Sequence, residues 1–411
     1  MNSIIDISAS LIAISALFAY INHRFIGLPT TIGVMIIAML TSLFVYLLGL
    51  FGFADFHSQV KELLAGIDFN KTLLHGMLSF LLFAGAMHIK LDDLRKQKWV
   101  IISLATVGVC ISTFLVGTAT YYLLGILACH LPYVYCLLFG ALISPTDPIA
   151  VMATVKRLGV DKDLETTIAG ESLFNDGVGV VVFVVLLMLL QTPNELTATD
   201  IVVVFAQEAI GGIVFGLVLG GIGFYLTNSI DDYKVEILIT LALVMGGYGL
   251  AMQLHTSGPI AIVVAGLLTG NVSRKHGMSD RTRQSVDDFW ELIDEILNVI
   301  LFALIGLEML IIPFESQWLW GGLLLIPIIL FIRFVSVGLP IRLIGLRETV
   351  APHLVKILVW GGLRGGISVA LALSLPAGEF RDLVLFLTYV VVVFSIVVQR
   401  LTIGPFIRKL T

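Results

Sequence analysis

The sequence predicts an all-α integral membrane protein with thirteen transmembrane helices. Of its 411 residues, 58% are hydrophobic and only 13% are charged, and the mean hydropathy is +1.02. Soluble domains carry about 25% charged residues, so the composition excludes an ordinary soluble domain. Apolar stretches of spanning length lie at 4–22, 30–52, 72–89, 99–126, 132–155, 165–190, 201–227, 235–254, 258–272, 288–311, 318–345, 352–375 and 382–406.

The positions of the basic residues test this count independently. Nineteen of the 24 Lys and Arg residues lie at or near the ends of odd-numbered spans, and three follow even-numbered spans. The other two, Arg333 and Arg364, lie inside spans. Because cytoplasmic segments are enriched in Lys and Arg, the split predicts an external N-terminus and a cytoplasmic C-terminus in an inner or plasma membrane.

Two predicted spans are interrupted by residues that weaken helices. The fifth contains Ser-Pro-Thr-Asp-Pro at 144–148, and the twelfth contains Gly-Gly-Leu-Arg-Gly-Gly at 361–366. Both spans should unwind there, which is tolerated at membrane depth where backbone lines a cavity or is buried in protein. In a division of six, one and six spans, the two breaks are counterparts in two inverted repeats. Paired breaks of this kind indicate a transporter's binding site.

The sixth predicted span carries a polar stripe in an otherwise apolar helix. At helical spacing Glu171 lies beside Asn175, and Ser172 lies beside Asp176. Such groups are costly in hydrocarbon, so they should face the bundle interior or a water-filled cavity and mark an ion path. The alternative is a structural polar network that holds two helices together.

The motifs at 144–151 (SPTDPIAV), 170–177 (GESLFNDG) and 361–365 (GGLRG) resemble those of the monovalent cation/proton antiporters, specifically the NhaP-type branch. The resemblance extends over nearly the whole chain. It implies the NhaA/NhaP-like antiporter fold, in which the broken spans 5 and 12 cross. It also implies a homodimer that exchanges Na⁺ or Li⁺ for H⁺ by alternating access.

The resemblance also divides the chain into two kinds of part. Residues 1–97 (spans 1–3) and 193–312 (spans 7–10) would form a scaffold that carries the dimer contact. Residues 98–192 (spans 4–6) and 313–411 (spans 11–13) would form the mobile core that carries the site.

Roles for the site residues follow from the same resemblance. Asp176 would bind either the cation or the proton, Ser172 would supply a hydroxyl ligand, and Thr146 would supply a backbone carbonyl. Asn175 occupies the position where electrogenic relatives carry a second Asp, which implies electroneutral exchange. Asp147 would compensate the ends of the broken helices.

Arg364 needs a counter-charge at membrane depth, and the resemblance implies that Glu171 supplies it. Asn175 would bridge this pair and hold the sixth span against the twelfth. The opposite pairing, Arg364 with Asp176, would prevent Asp176 from exchanging its cation and proton.

Several other polar positions keep alternatives open. Arg333 should be structural, paired with either Glu308 or Glu208. Many relatives carry a third-span acid where this chain has Ala84, which leaves the choice among Na⁺, Li⁺ and K⁺ open. His88, one turn further on, is either an interfacial residue or a pH sensor.

An acidic run leads into the tenth predicted span. It could line a cytoplasmic funnel that concentrates cations, or it could be a solvated helix start. The run comprises Asp287, Asp288, Glu291, Asp294 and Glu295.

Other classes of protein fit the sequence less well. A zinc hydrolase would need His-Glu-x-x-His on a helix, and a serine hydrolase would need a base near Ser172; the sequence contains neither. No enzyme activity, cofactor or nucleic-acid partner is therefore expected. A K⁺/H⁺ antiporter of the same fold and a cation channel are the alternatives, while an acidic site argues against anionic cargo.

Overall fold

A computed structural model describes residues 4–51, 76–192, 197–310, 312–313, 315–344 and 353–410. In these ranges the chain is helical, apart from loops and one isolated antiparallel bridge between Asp147 and Leu363. The first nine helices are α1 (Ile4–Ile21), α2 (Thr30–Leu50), α3 (Leu78–Met87), α4 (Leu91–Lys96), α5 (Lys98–Ser103), α6 (Val109–Ile126), α7 (Tyr133–Ile143), α8 (Ile149–Leu158) and α9 (Lys162–Gln191).

The second half of the chain continues in the same way. Its helices are α10 (Ala198–Asn228), α11 (Tyr233–Gln253), α12 (Gly258–Leu268), α13 (Arg274–His276), α14 (Asp280–Glu308), α15 (Ser316–Ile344), α16 (Leu354–Gly361), α17 (Gly366–Leu373), α18 (Glu379–Phe394) and α19 (Arg400–Arg408). Wider π-type turns extend α1 and α12 and join α5 to α6 and α18 to α19, at Asn22–Ile26, Thr269–Ser273, Leu104–Gly108 and Ser395–Gln399.

Eight helical runs of the described chain are long and apolar enough to cross a bilayer, so the chain is a multi-pass membrane protein. They are Ala9–Ile26, Thr30–Gly49, Lys98–Ile126, Lys162–Gln191, Thr199–Asn228, Tyr233–Gln253, Ser316–Ile344 and Glu379–Arg408. The other predicted spans correspond to α3, α7 with α8, α12, α14, and α16 with α17. These are shorter, broken or more highly charged, so the total of thirteen stays a prediction.

Both predicted helix breaks are confirmed, and they meet. The fifth span is interrupted between Ile143 and Ile149, and the twelfth between Gly361 and Gly366. The backbone N–H of Asp147 donates to the carbonyl of Leu363 at 2.8 Å. A backbone donor in one break therefore finds its hydrogen-bond acceptor in the other break. Such pairing is needed because unpaired backbone groups are costly in a low-dielectric interior.

Helix α9 packs closely on the broken span because its sequence supplies glycines. A Cβ on Gly177 would lie 2.8 Å from the side chain of Ile260 in α12, and one on Gly179 would overlap the ring of Pro145. Larger residues at these two positions would push α9 away from its neighbours. Gly179 thus allows α9 to approach the break, and Gly177 allows it to approach α12.

The outer surface of the bundle is apolar. Helix α10 exposes large aliphatic and aromatic side chains along its length, among them Val202, Val214 and Tyr225. At its start the Thr197 and Asp200 side chains form a capping box, and the backbone N–H of Thr197 donates to Asp200 Oδ2 at 2.8 Å. A polar cap followed by an exposed apolar face is the arrangement expected of a lipid-facing helix.

The Asp93 carboxylate accepts a hydrogen bond from Lys162 at the start of α9, with Oδ2 and Nζ 2.8 Å apart. This bond lowers the pKa of Asp93 from its ordinary value. A lowered pKa means that the pair stabilises the fold above the unfolded-state pKa of about 3.9 and ceases to do so as the pH falls through the folded-state value. We expect Asp93→Asn to lower the thermal midpoint in detergent slightly at pH 7, and the difference to vanish in acid.

The matched control for this prediction is Asp161→Asn. Asp161 is exposed at the cap of α9, and its side chain makes no capping hydrogen bond. A difference between Asp93→Asn and wild type that stayed constant at all pH values would contradict the ion-pair assignment.

Candidate cation-binding site at the helix breaks

The polar stripe of α9 lies against the broken fifth span. Glu171, Ser172, Asn175 and Asp176 are buried, as is Thr146 in the break. The side-chain amide of Asn175 donates to Thr146 Oγ1 at 2.8 Å and to Glu171 Oε1 at 2.7 Å. Its oxygen accepts from the backbone N–H of Thr146 at 3.2 Å. Two of these hydrogen bonds tie α9 to Thr146 in the break, and the third, to Glu171, lies within α9.

Thr146 is also linked to the stripe by its hydroxyl. Its Oγ1 lies 3.0 Å from Ser172 Oγ and donates to Glu171 Oε2 at 3.4 Å. The structure therefore brings Thr146 and Ser172 within hydrogen-bonding distance of each other. That the Thr146 carbonyl coordinates a cation stays a prediction.

Asp176 has a different environment from the other stripe residues. It is 8% exposed and borders a cavity. Within the part of the chain that the structure describes, its carboxylate makes neither a hydrogen bond nor an ion pair. The alternative pairing of Asp176 with Arg364 is therefore not seen, and the carboxylate is left to interact with whatever enters the cavity.

The expected pairing of Glu171 with Arg364 is wrong. Glu171 pairs with Arg333 of α15, whose guanidinium Nη2 lies 3.0 Å from both Oε1 and Oε2. Both side chains are buried, with 6% of Arg333 and 2% of Glu171 exposed. The partners that the sequence offered for Arg333, Glu308 and Glu208, are likewise wrong.

Arg364 is engaged elsewhere, which explains this exchange of partners. Its Nη1 donates to the carbonyls of Ser144 and Pro145 at 2.6 and 3.1 Å, and its backbone N–H donates to Ser395 Oγ at 2.8 Å. The two carbonyls stand at the C-terminal end of α7, where a half-helix leaves orphan acceptors and partial negative charge. Arg364 therefore caps the broken fifth span.

Asp147 lies beside the start of the other broken helix. A Cβ on Gly365 would be 2.9 Å from Asp147 Cβ and 3.2 Å from Oδ2, just before α17 begins. A carboxylate stabilises the positive N-terminal end of a helix. Each break thus places an opposite charge at an end of the other broken span, Arg364 at α7 and Asp147 at α17. That Asp147 compensates the helix ends stays a prediction.

A cavity of about 740 Å³ reaches this site. Asp176, Thr146 and Asp147 border it, together with Ser368 of α17. From there it extends to a charged end of the molecule, where its wall includes Lys90, Asp93, Lys156, Lys162 and Glu165. The site is therefore connected to the end where the loops α3–α4 and α8–α9 lie.

The third span contributes no acid to this cavity. Ala84 is fully buried in an apolar cluster, beside Phe83, whose ring lies 4.6 Å from that of Trp290. Gly85 and His88 border the cavity instead. Core packing therefore surrounds Ala84, and His88 lies on the cavity wall.

Comparisons with known proteins identify the family of the chain. The family model of the transmembrane sodium/hydrogen exchangers matches residues 12–409. The Na⁺/H⁺ antiporter NhaP of Pseudomonas aeruginosa is 51% identical over 99% of this chain and 97% of its own. The Na⁺/H⁺ antiporter NhaH of Halobacillus dabanensis is 39% identical over 83% of this chain and 84% of its own.

Solved structures show the same fold. The sodium proton antiporter MjNhaP1 of Methanocaldococcus jannaschii matches with a TM-score of 0.76 and 19% identity, over 98% of this chain and 97% of that one. The NhaA/NhaP-like antiporter fold that the motifs predicted is therefore confirmed. By both the family model and the identity to its relatives, the chain belongs to the transmembrane sodium/hydrogen exchanger family.

Proposed function

We propose that the protein is a secondary antiporter that exchanges Na⁺ (or Li⁺) for H⁺, and that it is a transporter rather than an enzyme. The observation that carries this proposal is Asp176, a buried carboxylate without a protein partner in the described chain, at a cavity beside two crossing helix breaks. The names of the curated relatives, which are Na⁺/H⁺ antiporters, support sodium as the cation.

Coupling follows from the chemistry of one acid. An unpaired carboxylate in a low-dielectric interior is costly as an anion, and either a proton or a monovalent cation neutralises it. The two exclude each other, and the site crosses the membrane readily only when it is loaded. Asn175 hydrogen-bonds to Thr146 and to the Glu171 carboxylate and carries no charge of its own. One cation for one proton is therefore the expected stoichiometry, which is electroneutral.

The direction of the cavity supports an inward-facing state. The cavity extends to the end of the molecule that carries Lys90, Lys156 and Lys162, and the distribution of basic residues puts that end in the cytoplasm. We therefore place the N-terminus outside and the C-terminus in the cytoplasm, with the protein in an inner or plasma membrane. Alternating access would then close this cavity and open one on the other side.

The division into parts belongs to the same proposal. Residues 98–192 and 313–411 would move as a core that carries Asp176 and both breaks, and residues 1–97 and 193–312 would stay as a scaffold and dimer contact. The pairing of Glu171 with Arg333 supports the core as one unit, because it joins the sixth span to the eleventh. Assembly as a homodimer is part of the proposal.

Exchange in proteoliposomes tests the function directly. We expect an outward Na⁺ gradient to drive proton uptake, reported by a pH-sensitive dye in the lumen, at a rate that an imposed membrane potential does not change. Liposomes without protein give the background. A rate that follows the potential would overturn the one-to-one exchange, and cation flux without proton movement would favour a channel. Exchange with K⁺ in place of Na⁺ would favour the K⁺/H⁺ alternative.

A further inference from the structure

Asn298 of α14 has an unusual environment for an amide. It is 2% exposed and forms part of the wall of the cavity that reaches Asp176. Its Nδ2 donates to the backbone carbonyl of Asp294 at 2.8 Å, whereas its Oδ1 has no hydrogen-bond partner in the described chain. Because a carbonyl can only accept, the nitrogen must face Asp294, and the unpaired atom is the oxygen.

Ser368 of α17 is a second case in the same cavity wall. It is 1% exposed, and its Oγ has no partner among the described residues. Helices α14 and α17 meet close by, since a Cβ on Gly366 would overlap the side chain of Leu301, one turn beyond Asn298. Two residues of the cavity wall near the break of the twelfth span therefore carry buried oxygens without partners among the described residues.

Unpaired buried acceptors are uncommon because each costs about 1–3 kcal/mol. A ligand that brings positive charge would remove that cost. The cavity wall as a whole carries lysines as well as acids. Glu291, Asp294 and Glu295 lie on α14, the helix that carries Asn298, so the wall next to its oxygen favours a cation. An anion would be repelled there, whereas a hard monovalent cation prefers oxygen ligands.

The same helix packs against the third predicted span. The rings of Trp290 in α14 and Phe83 in α3 are tilted by 49°, with centroids 4.6 Å apart. Asn298 lies about two helical turns further along α14. The helix that packs on the third span thus also carries an amide of the cavity wall.

We propose that Asn298 Oδ1 and Ser368 Oγ are ligands that position the transported cation, together with Asp176. This inference rests on the proposed function and names two further residues of its site. It makes the cation affinity depend on residues outside the polar stripe of α9.

The test compares the Na⁺ dependence of exchange in proteoliposomes for wild type, Asn298→Ala and Ser368→Ala. Each variant should raise the half-saturating Na⁺ concentration roughly tenfold, the loss expected when a charge-assisted contact disappears, while the maximal rate stays near that of wild type. Asn298→Asp and Ser368→Thr keep the oxygen and should restore the affinity. Asn228→Ala, an exposed amide at the end of α10, is the matched control and should behave as wild type.

Unchanged half-saturation in both alanine variants would overturn the inference, and so would a lower maximal rate at unchanged half-saturation, which indicates a packing role. A wild type without Na⁺-driven exchange would instead refute the proposed function. In that case the rise in thermal midpoint of the detergent-solubilised protein with added NaCl still reports binding, and equal rises in wild type and variants would overturn the inference. If one variant does not fold, the other carries the same test.

Discussion

Asp176→Asn is expected to reduce Na⁺-driven proton movement to the background of empty liposomes while the protein stays folded. The amide has the size of the carboxylate but can neither release a proton nor neutralise a cation. The Asp176 carboxylate makes no hydrogen bond or ion pair in the described chain, so the substitution removes no contact that holds the fold. Removal of a buried charge that lacks a counter-charge should leave stability unchanged or raise it.

Two measurements on the same preparation check this expectation. Dye-reported exchange gives activity, and the thermal midpoint in detergent with the elution profile gives folding. The matched control is Asp163→Asn, an exposed carboxylate on the same helix, which should exchange as wild type does. An Asp176→Asn protein that loses its fold would reassign Asp176 to structure, and one that still exchanges would remove it from the mechanism.

The parts of this site that the sequence predicted correctly depend on local pattern. Proline and glycine weaken the helix that contains them. The breaks at 144–148 and 361–366 could therefore be located from the positions of these residues in the sequence. The contact of Glu171 with Asn175 follows from i,i+4 spacing on one helix. The motifs that resemble the family extended these local patterns to a fold and a set of roles.

The partner of Glu171 could not be predicted in this way. Arg333 and Arg364 both lie inside apolar spans, and each needs compensation at that depth. Which guanidinium reaches Glu171 depends on how three helices pack, and sequence separation carries no information about that. Arg364 could also be satisfied by the orphan carbonyls of α7, a partner that a search for charge pairs does not consider.

Asn298 and Ser368, the two ligands proposed above, could not be predicted for a related reason. Each is a single polar residue, one after the acidic run of α14 and the other after a glycine-rich break. Neither forms a motif with its chain neighbours. Only the cavity and the absence of donors within the described chain set them apart from polar residues that are paired.

Arg333→Leu is expected to lower the free energy of unfolding by about 3–5 kcal/mol, because it leaves Glu171 as an uncompensated buried charge. Glu171 would keep its hydrogen bonds from Asn175 and Thr146, but neutral donors do not offset a full charge. The thermal midpoint in detergent, measured at neutral pH, gives the size of the effect relative to wild type. A midpoint equal to that of wild type would contradict the assignment.

A double-mutant cycle then identifies the partner. Adding Glu171→Gln to Arg333→Leu removes the stranded charge, so the double variant should be more stable than the sum of the two single effects predicts. Adding Glu171→Gln to Arg364→Leu should give additive effects, because Arg364 holds the carbonyls of Ser144 and Pro145 instead. Strong coupling of Glu171 to Arg364, with none to Arg333, would reverse the assignment. Coupling of Glu171 to Arg333 alone would mean that Arg333 links the eleventh span to α9, whereas Arg364 stabilises the break of the fifth span. The two arginines would then stabilise different contacts of the core.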